Sequence, residues 1–240
     1  MPRYIRPGML SEEAGSCERE PPDNRHSIGV WRRRMLGLPS AWVVAMDSFE
    51  NHAQIAAVAI WIAWLLYWFV SAFGNKAAAR VDGWMSFLTY RAPLMLACVL
   101  FFARALGRPW PWLVRRFLPP GALWPSLGLA VLLLGLALSC WARVVLGRNW
   151  SASVQLKRGH ELVTAGPYRW VRHPIYTGVL TGVLGSAFVM GEWRGLVAWA
   201  LILVSFAYKL RHEERWMREQ FGAAYVDYMR RTKALIPGVW

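Results

Sequence analysis

The sequence is poor in acidic residues and in cysteine. It contains 14 Asp and Glu against 28 Lys and Arg, so its formal net charge at pH 7 is +14. Its three cysteines, Cys17, Cys98 and Cys140, have no Cys-x-x-Cys spacing, which argues against a disulfide framework and a zinc site. No cluster of His, Cys and Asp has the spacing of metal ligands either, so we expect no metal centre.

Several recognisable sequence motifs are also missing. There is no Gly-x-Ser-x-Gly nucleophile elbow, and no apolar stretch follows the early arginines, so no signal peptide is predicted. Gly178, Gly182 and Gly185 follow no strand, which favours close helix packing over a dinucleotide loop. A basic chain can bind nucleic acid, but the basic residues flank apolar runs, and we predict no nucleic-acid partner.

Long apolar runs dominate the chain. Hydrophobic residues make up 56% of it, the mean hydropathy is +0.25, and there are 16 tryptophans. Uncharged or nearly uncharged runs of this length are typical of membrane-spanning helices. We therefore predict an all-α fold, a multi-pass membrane helical bundle of about five transmembrane helices with a C-terminal helical hairpin and an amphipathic tail helix. The predicted spans are residues 53–73, 84–103, 122–142, 175–190 and 195–208.

The runs divide the chain into three predicted regions. Residues 1–50 form a polar, partly disordered segment, within which residues 28–50 fit an interfacial helix and a solvated linker equally well. Residues 51–147 hold the first three spans, and residues 148–240 hold the predicted functional region. With five spans, the polar residues after the third span share a side with the tail. That side carries more Lys and Arg, which indicates that the site faces the cytoplasm. We expect an integral protein of a bacterial cytoplasmic membrane.

One stretch, residues 155–178, departs from this apolar pattern. It places His160, Glu161, Tyr168, Arg169, Arg172, His173 and Tyr176 between two spans. Ionisable groups at a bilayer are costly and indicate a functional site, although Arg169 is better explained as a headgroup anchor. The dipeptides Gly166-Pro167 and His173-Pro174 predict interruptions of the helix, because the residue before proline avoids the α conformation.

A second polar cluster follows the last span. Lys209 and Glu213 are four residues apart, so on a helix a cation and a carboxylate stand side by side. For Glu214 the simplest interpretation is a pair with Arg211 or Arg218. Tyr225 and Tyr228 recur at helical spacing and are interpreted as interfacial packing.

Taken together, these motifs resemble the isoprenylcysteine carboxyl methyltransferase family over about residues 140–237. The blocks that carry the resemblance are Leu146-Gly147-Arg148-Asn149-Trp150-Ser151, His160-Glu161-Leu162-Val163-Thr164, Gly166-Pro167-Tyr168-Arg169, Val171-Arg172-His173-Pro174-Ile175-Tyr176-Thr177-Gly178, Glu213-Glu214, Phe221-Gly222, Tyr225, Tyr228, Arg231-Thr232 and Ile236-Pro237.

The resemblance implies an enzyme that transfers a methyl group from S-adenosylmethionine to a lipophilic or small acceptor in the lipid bilayer. A carboxylate such as that of isoprenylcysteine is the favoured acceptor. The family's arginine near the substrate carboxylate falls on Lys209, which keeps the charge but loses the bidentate fork, and Arg172 is the next candidate for holding an anionic acceptor. The family's cofactor contacts fall on Gln155, His160, Glu161, Leu162, Val163, Tyr168, His173, Pro174, Ile175, Tyr176 and Glu213.

Other functions stay open at this point. Membrane NADPH-dependent sterol reductases share a similar Arg-His-Pro and aromatic-rich C-terminal pattern, and a phospholipid or thiol methyltransferase would use the same cofactor pocket. A non-catalytic membrane scaffold is the third class. The Glu213-Glu214 pair and the Gly-Pro-Tyr-Arg block favour the methyltransferase.

Overall fold

Helices make up nearly the whole of the fold. The computed structural model describes residues 40–73, 78–81, 84–102, 109–147, 155–157 and 162–239. Residues 45–240 form one compact unit, while residues 1–44 form another, of which only residues 40–44 are described. The helices are α1 (Ser40–Ser71), α2 (Trp84–Phe102), α3 (Leu123–Leu146), α4 (Pro174–Met190), α5 (Trp193–Phe221) and α6 (Ala223–Arg231), with 3₁₀ turns at Pro111–Val114 and Gly166–Arg169.

A small ribbon is the one departure from helix among the described elements. Strand β1 (Ala78–Val81) pairs antiparallel with β2 (Gln155–Lys157), with Ala78 opposite Lys157 and Val81 opposite Gln155. The ribbon links the segment after α1 to the segment after α3. Apart from it, the predicted all-α class is confirmed for the described residues.

Three of the helices are long and apolar enough to cross a membrane. They cover Val44–Ser71, Leu123–Leu146 and Trp193–Phe221, and shorter apolar helices cover Arg91–Phe101 and Pro174–Met190. The five predicted spans therefore correspond to α1 through α5. The multi-pass helical membrane class is confirmed, while the count of five crossings stays a prediction.

Two helix boundaries differ from the predicted spans by thirteen residues. α1 begins at Ser40, so residues 40–50 are part of a helix that continues into the first span. α5 does not end at Tyr208 but continues to Phe221, because the residues between them are good helix formers without Gly or Pro. Gly222, at φ = 56°, then ends α5, since this left-handed conformation favours glycine.

Glycines hold α3 and α4 in close contact. A Cβ atom on Gly135 would lie 2.5 Å from the backbone nitrogen of Gly182, and one on Gly185 would lie 2.4 Å from that of Leu132. A Cβ atom on Gly178 would lie 2.5 Å from the Gly135 carbonyl oxygen. No larger residue fits at these separations, so the two backbones meet directly. The predicted packing role of Gly178, Gly182 and Gly185 is confirmed.

Tryptophan side chains attach α1 to this helix pair. The Trp61 indole N–H donates to Ser186 Oγ of α4 at 2.9 Å, and the Trp64 N–H donates to Ser139 Oγ of α3 at 2.8 Å. Both hydroxyls belong to buried residues, where an indole N–H and a hydroxyl each need a partner. These bonds fix the face that α1 turns toward the bundle.

Exposed tryptophans mark both ends of the bundle. Trp110, Trp112 and Trp193 are exposed near the turn between α4 and α5, and Trp141 and Trp170 are exposed near the start of α4. Tryptophan is enriched where the hydrocarbon core meets the headgroups. The Arg169 guanidinium lies 4.6 Å from the Trp170 ring centroid, in keeping with its expected role as a headgroup anchor. These positions predict a membrane interface at the start of α4.

Candidate active site

The C-terminal tail pairs with the segment that leads into α4. The Arg172 N–H donates to the Lys233 carbonyl at 2.8 Å, and the His173 N–H donates to the Ala234 carbonyl at 3.0 Å. Pro174 takes the first helical position, where no N–H is needed, so α4 begins directly after this pairing. The tail thereby fixes the position of the Arg-His-Pro segment.

Glu213 of α5 faces the start of α4 and collects several polar groups. Its Oε1 accepts a hydrogen bond from the Tyr176 hydroxyl at 2.6 Å and lies 3.9 Å from Lys209 Nζ, which confirms the predicted Lys209–Glu213 pair. Its Oε2 lies 3.7 Å from His173 Nδ1. Lys209 Nζ also lies 5.3 Å from the Tyr176 ring centroid, within range of a cation–π contact. A carboxylate, an ammonium, an imidazole and a phenol thus meet at one point.

Glu214, the next residue, joins three parts of the chain. Its Oε1 accepts a hydrogen bond from Arg172 Nε at 2.7 Å and lies 3.2 Å from His173 Nε2. The Arg172 guanidinium also donates to the carbonyls of Met229, at 3.4 Å, and Thr232. The side chains of Arg172 and Glu214 are only 9% and 10% exposed. A buried ion pair is tolerated when its hydrogen-bonding groups are satisfied in this way.

The prediction that Glu214 pairs with Arg211 or Arg218 is wrong. Its acidic group pairs with Arg172, while Arg218 Nε donates to the Glu214 backbone carbonyl at 3.3 Å and Arg211 is exposed. Successive residues on a helix point about 100° apart, so Glu213 faces the cavity described below and Glu214 faces the tail. The two neighbouring carboxylates therefore have separate roles.

A cavity of about 870 Å³ opens on this polar cluster and continues between the helices. Ligand sites in proteins have volumes of about 300–1,000 Å³, so this one is large enough for a cofactor together with part of a second molecule. The predicted residues that line it are Leu162, Val163, Tyr168, Arg172, His173, Ile175, Tyr176, Lys209 and Glu213.

Of the other four predicted residues, only Pro174 is described in full. Pro174 is fully buried at the start of α4 and does not line the cavity. The backbone of Gln155 lies in β2, but its side chain, like all of His160 and Glu161, lies outside the described residues. Their cofactor role stays a prediction.

Several cavity residues were missed from the sequence. Trp216 and Met217 follow Glu213 by three and four residues on α5, and both line the cavity. Helical spacing would have found them if the tail had been treated as a continuation of the last span. Trp61, Trp64 and Trp68 of α1 also line it, and an apolar span offered no signal for them.

Tyr225 and Tyr228 are buried and line the cavity, so their interpretation as interfacial packing is wrong. The Tyr228 hydroxyl donates to the Tyr168 carbonyl at 2.5 Å, and the Tyr168 hydroxyl donates to the Ala142 carbonyl at 3.3 Å. Burial is the main cause that raises the pKa of all three phenols, that of Tyr228 to about 12. Neutral tyrosines thus pack α6 against the 3₁₀ turn at Gly166–Arg169.

We expect this packing to fail in alkali. Below the ordinary tyrosine pKa of about 10 the phenols are neutral in both states, so their contribution to stability is complete. Above it the unfolded chain ionises first, and stability falls until the pH passes the raised folded pKa of about 12 for Tyr228. Melting temperatures in detergent between pH 8 and pH 12 measure the decline. A Tyr228→Phe variant should decline less steeply, and an identical slope would contradict this account.

Comparisons with known proteins point to the same region of the chain. Residues 124–224 match the phospholipid methyltransferase family. Protein-S-isoprenylcysteine O-methyltransferase B of Arabidopsis thaliana is 31% identical over 117 residues, which are 48% of this chain and 59% of the relative. The resemblance to the isoprenylcysteine carboxyl methyltransferase family is confirmed. A further relative is the protein-S-isoprenylcysteine O-methyltransferase of Schizosaccharomyces pombe. It is 34% identical over 112 residues, which are 45% of this chain and 48% of the relative.

The similarity to this family covers only part of each protein. The chain spans about half the length of the curated relatives it matches. A solved structure of a eukaryotic intramembrane Ras methyltransferase, an isoprenylcysteine carboxyl methyltransferase, matches 63% of this chain and 53% of its own, at 27% identity and a TM-score of 0.44. The matched family region contains all but the first residue of α3 and the whole of α4 and α5, and with them Glu213, Lys209 and the Arg-His-Pro segment.

Proposed function

We propose that this protein is an integral membrane methyltransferase that transfers a methyl group from S-adenosylmethionine to the carboxylate of a lipophilic acceptor. The observation that carries the proposal is the cavity beside Glu213 and Lys209, which is polar at that end and lined mostly by apolar side chains beyond it. The similarity of residues 124–224 to methyltransferases supports it.

The polar end has the groups that this cofactor would need. S-adenosylmethionine, when bound, supplies an electrophilic methyl group on a sulfonium cation. The Glu213 carboxylate can accept hydrogen bonds from an amine or from ribose hydroxyls. The rings of His173 and Tyr176 are nearly parallel, at 15°, with centroids 5.6 Å apart, and the Tyr176 face can attract the cation. Gln155, His160 and Glu161 are further proposed contacts.

Lys209 is the proposed anchor for the acceptor. Its ammonium has three N–H donors and lines the cavity next to Glu213. As the sulfur–methyl bond breaks and the oxygen–methyl bond forms, the sulfonium and carboxylate charges cancel, so no strong general base is required. The chain's task is to align the two molecules and exclude water. Arg172 is the second candidate anchor, although Glu214 and two carbonyls already bind its guanidinium.

A lipophilic acceptor can enter from the side of the bundle. Val58, Ile62 and Leu65 of α1 line the cavity and are also 47%, 52% and 56% exposed, and Cys98 of α2 is another exposed lining residue. An apolar rim that faces the hydrocarbon core offers a path from the bilayer. With the basic polar end on the cytoplasmic side, the cofactor would enter from the cytoplasm.

A phospholipid amine is the second candidate acceptor. The family match favours it, because the matched family is described as phospholipid methyltransferases. However, the Lys209 cation at the acceptor position would repel an ammonium headgroup and attract a carboxylate. We therefore place the carboxylate first.

Cofactor binding and product chemistry test the proposal. We expect the purified protein in detergent to bind S-adenosylhomocysteine but not NADPH in isothermal titration calorimetry. With tritiated cofactor and a prenylcysteine acceptor, the label should be released as methanol by base, as a methyl ester requires. Binding of NADPH alone would contradict the proposal in favour of a reductase. Base-stable label in the lipid fraction would identify the phospholipid acceptor instead.

A further inference from the structure

We propose that the end of the cavity far from Lys209 limits the length of the acceptor's apolar tail, and that Val183 and Met190 determine this limit. The inference rests on the proposed function, because it concerns the tail of the same acceptor whose carboxylate lies at Lys209. It follows from the depth of the cavity, the chemistry of its wall and the way in which its far end is closed.

The cavity extends through most of the bundle. Along α5 its lining runs from Lys209 to Arg194, fifteen residues apart, which is about 22 Å at the helical rise. Along α4 it runs from Tyr176 to Met190, fourteen residues apart, which is about 21 Å. The two helices thus give the same depth, and it exceeds half of the roughly 30 Å hydrocarbon core.

The wall between the two ends offers hydrocarbon to an occupant. Val179 and Val183 of α4 and Ile202 and Phe206 of α5 line it. Two polar pairs beside this wall are already satisfied, since the Trp61 indole N–H is bound to Ser186 Oγ and the Trp64 N–H to Ser139 Oγ. An apolar tail can exchange lipid contacts for contacts with these apolar side chains without displacing either hydrogen bond.

Arg194 closes the far end with a fixed charge. Arg194 is only 8% exposed, and its Nε donates to Glu192 Oε2 at 2.6 Å. Its Nη1 donates to two carbonyls in the last turn of α2, that of Phe101 at 2.7 Å and that of Leu100 at 3.3 Å. A hydrocarbon pushed further would have to separate buried charged and polar groups, which is costly. The tail should therefore stop at Met190 and Arg194.

The depth predicts a tail length. An isoprene unit extends by roughly 5 Å at the bond lengths of a carbon chain, and the cysteine from its carboxylate to its sulfur takes up roughly another 5 Å. A cavity about 22 Å deep therefore leaves about 17 Å for the tail, which holds three units and rejects four. Val183 lies seven residues beyond Tyr176, about 10 Å deeper. A larger side chain at Val183 should leave room for only one unit.

Acceptors of graded length test the inference. S-prenylcysteines with one, two, three and four isoprene units are compared by kcat/KM. In Val183→Phe we expect the ratio of the three-unit to the one-unit acceptor to fall at least tenfold relative to wild type. In Met190→Ala we expect the four-unit acceptor to gain at least fivefold relative to the three-unit one. Val204→Phe is the matched control, since Val204 lies on α5, is 61% exposed and is outside the cavity lining.

A second readout does not depend on catalysis. Cys98 lines the cavity and is exposed, so its labelling by a membrane-permeant maleimide, with Cys17 and Cys140 replaced by serine, reports occupation of the tail region. Three-unit acceptors should slow labelling in wild type but not in Val183→Phe. Equal length profiles for wild type, Val183→Phe and Met190→Ala would overturn the inference. Length-dependent protection without methylation of any acceptor would refute the proposed function and leave the inference standing.

Discussion

A Glu213→Gln variant is expected to bind S-adenosylhomocysteine roughly 10- to 100-fold more weakly than wild type. Glutamine keeps the size of the side chain and an oxygen that can accept the Tyr176 hydrogen bond, but it loses the charge beside Lys209. A hydrogen bond to a charged group contributes about 1.5–3 kcal/mol, and about 1.4 kcal/mol corresponds to a factor of ten. Isothermal titration calorimetry in detergent measures the affinity directly.

The matched control for this experiment is Glu219→Gln. Glu219 is exposed on the same helix and does not line the cavity, so its change removes the same charge at a distance from the site. Its affinity should stay within about twofold of wild type. An equal loss in both variants would attribute the effect to net charge, and an unchanged affinity in Glu213→Gln would remove Glu213 from the cofactor site.

Replacing Arg172 with Met should be the most destabilising single change at this end of the bundle. The change leaves the buried Glu214 carboxylate without its guanidinium partner and removes the donors to the carbonyls of Met229 and Thr232. Breaking a buried ion pair on one side costs about 3–5 kcal/mol. The tail should also separate from the start of α4, so we expect a lower melting temperature and faster proteolysis after Arg231.

Two comparison variants define what this loss means. Arg230→Met breaks a pair with Asp227 whose side chains are 77% and 59% exposed, and it should change the melting temperature little, because exposed pairs contribute little. The double variant Arg172→Met with Glu214→Leu should recover much of the lost stability. If it regains stability but not activity, Arg172 also contacts the acceptor. A single Arg172→Met variant as stable as Arg230→Met would refute the structural role.

Local composition predicted the starts of α2 and α4 but not the start of α1 or the end of α5. The start of α4 at Pro174 and of α2 at Trp84 follow from proline and from the onset of apolar residues. The end of α5 was placed thirteen residues too early, because hydropathy falls after Tyr208 while helix propensity does not. Only Gly222 ends that helix. A helix can continue after the chain has left the hydrocarbon core, and a hydropathy pattern shows only where the chain leaves the core.

The site was predictable to the extent that its residues are close in sequence. Lys209 and Glu213 lie one helical turn apart, so their contact follows from the helix alone. The pairing of Glu214 with Arg172 joins residues 42 positions apart, so it depends on how α5 and the tail pack against the segment before α4. The family resemblance predicted which residues contact the cofactor, but it did not predict the partner of Glu214.

The sequence by itself determined that this is a helical membrane protein with a polar site at Arg-His-Pro and Glu213, because apolar run length, proline and helical spacing are local properties. Only the tertiary structure decided that α1 supplies tryptophans to the cavity, that α6 and its tyrosines are buried, and that Arg194 closes the far end. These contacts depend on which helix faces meet. The glycines between α3 and α4 and the buried ion pairs between distant residues determine those faces.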